Sequence, residues 1–145
     1  MDEKYELIEH IYKDASMAVY TLNKLLKNLE NKDNKIKGTI EDILKKYEDF
    51  LSKTKDELTA NDLPLEGEST ITKLMSSMGI YKEVKNDNSD SSIADMLIKG
   101  ISMGSIDMEK KIKDYSKKVN KDHLNLAKDF MKFQEKTIED LKKFL

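Results

Sequence analysis

Cysteine and tryptophan are absent from this 145-residue chain, proline occurs once and glycine five times. Without cysteine there is no disulfide framework, no thiolate metal site and no cysteine nucleophile. With proline confined to Pro64, long stretches are free of the strongest helix breaker. No apolar run approaches the roughly 20 residues of a membrane span, and the opening MDEKYELIEH is acidic and polar where a secretion signal is basic and then apolar. An excess of one charge is missing too. Lys and Arg total 26 against 28 Asp and Glu, for a formal net charge of -2, with acids interleaved among the basic residues, so nothing favours nucleic acid as a partner. Nucleophile elbows, phosphate-binding glycine loops and paired His and Asp are likewise missing, which leaves no warrant for an enzyme. The expectation is a non-catalytic cytoplasmic protein that neither crosses membranes nor binds nucleic acid.

What is present is amphipathic: 37% of residues are charged and 38% hydrophobic. The length suits one domain. The organising stretch is Ser91 to Val119, where Ile93, Leu97, Gly100, Ile101, Gly104, Met108, Ile112, Tyr115 and Val119 recur at three- and four-residue steps, the period of one helical face. Each glycine costs such a helix about 1 kcal/mol against alanine. Gly100 and Gly104 therefore read as a packing notch that a neighbouring helix fills, or as room for a ligand in a bundle.

The same period runs through Ile8, Ile11, Ala15, Ala18, Leu22, Leu25 and Leu29, with Tyr12, Val19 and Leu26 widening the stripe, and this face carries no carboxylate or histidine. A second helix places Ile36, Ile40, Ile43, Leu44, Tyr47, Phe50, Leu51, Thr54 and Leu58 inward, starting at a cap on Asp33 or later at the Gly38, Thr39, Asp42 sequence. A fourth carries Leu124, Ala127, Met131, Gln134, Ile138, Leu141 and Leu145, from a cap at Asn120 or Asp122. Leu63 to Asp90 is far longer than the few residues that join antiparallel neighbours, so it reads as a crossover along the bundle, with a short helix from Thr70 to Met78 stopped by Gly79. Ser92 and Asp95 are expected to cap the helix after it. The expected layout is all-α and a single domain, with helices at about 4–30, 34–61, 92–118 and 121–145 and a crossover at 62–91.

Two long hairpins joined by a crossover resemble ferritin-like four-helix bundles, and LAKDFMKFQEKTIEDLKKFL is similar to the closing helix of that group. The chain also resembles a set of small bacterial helical proteins through IYKDASMAVYTLNKLL, SIADMLIKGISMGSIDM and that same ending. The resemblance implies a fold rather than an activity. Metal-bearing members use a Glu from each of two helices and a Glu-x-x-His pair from each of the others. No Glu-x-x-His occurs here; the resemblance lands on Gln134 and Thr137, and near Asp49 with Ser52 or Glu48 with Leu51 in the second helix. The expectation is no di-iron site, no metal and no cofactor.

Gln134 on an apolar seam must find partners or cost about 1 to 3 kcal/mol. Thr54, a tyrosine hydroxyl or water are the candidates, and Gln134, Thr137 and Thr54 form the expected polar core. His10 and His123 lack a partner at metal-binding spacing and are assigned to no site. The eight methionines read as adaptable core filling or as a surface for a partner, Met17 and Met103 lying off the strict seams. Three functions follow: a homodimeric structural or interaction bundle pairing through the Tyr12, Val19 and Leu26 flank; a metal or small-ligand binder using Asp49, Asp107 and Gln134 with a ligand borrowed from a second chain; and a module holding a protein partner through Thr70 to Tyr81.

Overall fold

The computed structural model describes residues 3–65 and 88–145. These form four helices and no strands: α1 at Glu6–Asn28, led in by a 3-10 turn at Glu3–Tyr5, α2 at Lys37–Ala60, α3 at Asp90–Tyr115 and α4 at Lys121–Lys142. The expected short helix at Thr70 to Met78 and the proposed docking segment Thr70 to Tyr81 lie outside the described residues.

The helix ends follow local chemistry. Neither Asp33 nor Thr39 caps α2, which begins after Ile36 with no side-chain cap bond. It stops at Asp62, whose φ of 56° turns the chain so that Leu63 N–H donates to Leu58 O. Ser89, rather than Ser92 and Asp95, caps α3: its hydroxyl accepts from Ser92 N–H at 3.2 Å. Asp95 instead pairs with Lys99 one turn on, at 2.8 Å. Asn120 caps α4, its side-chain oxygen accepting from His123 N–H at 2.8 Å.

Helix directions follow from the bonds at the two ends of the bundle. At one end the Asn34 amide donates to Asn88 O and to the Asp90 carboxylate, both at 2.8 Å, and Lys35 N–H donates to the same carboxylate at 3.1 Å. The start of α3 therefore sits beside the turn between α1 and α2. At the other end the Tyr5 hydroxyl donates to Asn61 Oδ1 at 3.1 Å, and the His123 ring meets the Glu57 carboxylate at 3.0 Å and Lys4 O at 3.4 Å. The starts of α1 and α4 thus meet the end of α2. It follows that α1 and α4 point one way and α2 and α3 the other. The end of α2 and the start of α3 lie at opposite ends.

Packing is closest within the pairs α1 with α2 and α3 with α4; α1 also meets α3 and α4, and α2 meets α4. One core joins all four, with Leu7, Ile11, Leu22, Ile40, Tyr47, Ile93, Met108, Phe130 and Leu141 buried in it. Between α2 and α4 the aromatic rings lock edge to face, Tyr47 on Phe133 at 4.8 Å and Phe50 on Phe130 at 5.0 Å between centroids. No described helix is long and apolar enough to cross a membrane.

Candidate functional site

The interior is not uniformly apolar. Besides the expected stripe, α1 carries a second row one heptad apart, in which Leu7 and Thr21 are buried and the middle member, Asp14, is a partly buried acid. Glu9 is a further acid, 8% exposed, so the expectation that the buried face of α1 carries no carboxylate is overturned. Asp14 lies opposite α4, and Gln134 Nε2 donates to its Oδ2 at 2.9 Å and to the Tyr47 hydroxyl at 3.2 Å. Gln134 is fully buried and Tyr47 is 1% exposed. Residues from three helices therefore share one polar knot inside the bundle, with Gln134 Oε1 left without a hydrogen-bond partner among the described residues.

Burial sets the electrostatics. Removal from water pushes the Asp14 carboxyl up to about 6, an effect that the Gln134 hydrogen bond opposes and the nearby Asp107 charge reinforces. Burial and then the Asp14 charge push the Tyr47 phenol well above its usual range. His10, off the main apolar stripe by its spacing, lies one turn before Asp14. Its Nε2 is buried without a partner among the described residues, and desolvation together with Lys111 lowers its pKa, while Asp107 and a hydrogen bond with the Gly104 backbone act the other way.

The two glycines of α3 part company. A Cβ on Gly104 would lie 2.5 Å from Asp14 Oδ2 and 3.0 Å from Gln134 Nε2, so the missing side chain makes room for the polar pair rather than for a larger apolar group. At Gly100 no neighbouring helix fills a notch: among the described residues nothing lies within 4 Å of the position a Cβ would take. Gly100 borders a cavity of about 120 Å³ between α1 and α3, whose walls include Met17, Leu22, Met96, Leu97 and Ile101 together with Asp14 and Tyr47. Among the described residues lining it, Asp14 alone carries a charge.

The other expected residues are placed differently. Thr54 and Thr137 are buried, yet their hydroxyls turn back onto their own helices, Thr54 to Phe50 O at 2.8 Å and Thr137 to Phe133 O at 2.8 Å. Neither joins Gln134; of the expected partners it is the tyrosine hydroxyl that does. Asp49 is exposed on α2 and Asp107 on α3, so the set Asp49, Asp107 and Gln134 does not converge. Among the described residues no group of three or more His, Asp or Glu side chains is placed to hold a metal ion. His123, assigned to no site, is 5% exposed and ties the α4 start to α1 and α2. A separate groove between α2 and α4 mixes Lys45, Lys46 and Lys143 with Asp42 and a Lys136–Asp140 pair at 3.0 Å, the pattern of a solvated face.

Comparison of the chain with protein-family models, curated proteins and solved structures finds no match.

Proposed function

We propose that this chain is a non-catalytic binding bundle on the ferritin-like plan, holding a small ligand in the cavity at Asp14. The shared direction of α2 and α3 supports that plan, since a crossover must then join the two hairpins. The observation that carries the binding reading is the coincidence of a cavity with a partly buried acid. A cleft that leaves apolar side chains unpacked weakens the helix seam, and desolvating a carboxylate weakens the fold further. A ligand explains both, because function is where stability is commonly given up. Methyl NMR tests it: benzyl alcohol added to the protein should shift Met17 and Met96, which border the cavity, before Met131, which does not. Unmoved Met17 and Met96 resonances at saturating probe would end this reading.

A second reading, pairing of two copies, draws on a different observation. Met103 and Ile106, one turn apart on α3, are 59% and 52% exposed. Val19 and Leu26, by contrast, pack against the chain's own core, so the α1 flank first assigned to pairing is partly used within the chain. Sedimentation of the protein and of Met103→Lys/Ile106→Lys should show a dimer that the double substitution dissociates; monomer in both samples would remove the pairing.

A further inference from the structure

We propose that the occupant of the α1–α3 cavity is a small amphipathic amine, its ammonium on Asp14 and its apolar body between Met17, Leu22, Met96, Leu97 and Ile101. This rests on the ligand-binding reading and names the ligand class.

Asp14 has acceptor capacity to spare. A carboxylate offers about four acceptor positions, and among the described residues one donor reaches it, Gln134 Nε2 at Oδ2. The charge acting on it most is a second acid, Asp107, and not a lysine. Lys111, on the same helix as Asp107, is engaged with Glu6 at 3.0 Å. A carboxylate in a partly dry site, with spare acceptor capacity and an acidic neighbour, is complementary to a cation: an anion would be repelled, and a neutral alcohol would leave the charge uncompensated. The ammonium and Asp14 each relieve the other's desolvation.

The walls specify the rest of the molecule. Beyond Asp14 the lining is mainly aliphatic and thioether, and Met17 and Met96 can reshape around a ring or a short chain. A volume of about 120 Å³ approaches that of engineered cavities of about 150 Å³ that take up benzene. Gly100 leaves the border open, since no atom of the described residues stands within 4 Å of its missing Cβ. A leucine there would have space to form and would reach over the cavity. The site thus fits one ring or a short alkyl chain with one primary amine.

The experiment compares benzylamine, benzyl alcohol and benzoate at pH 7.5, following the Met17 and Met96 methyls of the whole chain. Benzylamine should bind at least tenfold more tightly than benzyl alcohol, and benzoate should leave both methyls unmoved. In Asp14→Asn the amine preference should fall below threefold while benzyl alcohol still binds. In Gly100→Leu both ligands should be lost, with an unchanged helical circular dichroism spectrum confirming the fold. Benzyl alcohol binding in the cavity as tightly as the amine, or an amine preference that survives in Asp14→Asn, would overturn the ligand class and leave the cavity reading standing. Failure of every probe to move Met17 or Met96 would overturn both.

Discussion

A carboxyl group whose folded pKa lies above its unfolded value keeps its proton longer in the folded state, so it ties stability to pH in the sense opposite to a salt-bridged acid. Asp14, raised from 3.8 to about 6, is such a group. Below pH 4 it is protonated in both states and takes nothing from stability. Between about pH 4 and 6 only the unfolded chain gives up the proton, so this group's effect is to lower stability as pH rises, levelling off above 6. A shift of about two units corresponds to roughly 3 kcal/mol at most. Asp14→Asn should therefore raise the urea midpoint at pH 7, by about 1 to 3 kcal/mol in stability, and flatten the pH 4 to 6 slope relative to the native chain. The amide that faces it behaves in the opposite way. Gln134→Leu strands both the Asp14 carboxylate and the Tyr47 hydroxyl, and should cost about 2 kcal/mol by urea unfolding at pH 7. Combined with Asp14→Asn the loss should be non-additive by about 1 kcal/mol, since the two side chains are in direct contact.

At the scale of the helix, Gly100 and Gly104 make opposite predictions from the same residue type. Gly100→Ala meets open space and gains helix propensity, so it should stabilise by about 0.5 to 1 kcal/mol. Gly104→Ala gains the same propensity but displaces a charge-assisted hydrogen bond worth about 1.5 to 3 kcal/mol, so thermal melts should show a net loss of about 1 kcal/mol. Sequence periodicity could not separate the two, because both sit on one apolar stripe. The stripes themselves were legible: Ile11, Ala15, Leu22 and Leu25 of α1 and Ile93, Leu97, Ile101 and Met108 of α3 are buried as their spacing demands. Asp14 escaped because an acid beside an apolar stripe has the same pattern as an acid on a solvated edge. The Leu7, Asp14, Thr21 heptad was the available signal. Its partner Gln134 lies 120 residues away, beyond anything helical spacing reports.

For the molecule as a whole, the length of the connection between α2 and α3 pointed to a crossover, while the directions of the helices rest on the Asn34–Asp90 and His123–Glu57 bonds. Those links were hidden because they join loop residues and helix ends, where no period operates. The absence of cysteine makes the arrangement simple to check. Asn34→Cys/Asp90→Cys should be joined within one chain by a short bis-maleimide, as read by mass spectrometry, whereas Asn61→Cys/Asp90→Cys should not. Efficient linking of the second pair would reverse α3.

Because α1 and α4 run the same way, Glu3 and Leu145 leave the bundle from opposite ends, roughly 35 Å apart for helices of this length. A pull on both would slide the rods along one another and strain every seam at once, instead of peeling one turn after the next. Joined head to tail, copies would extend as a chain of struts and would not close on themselves.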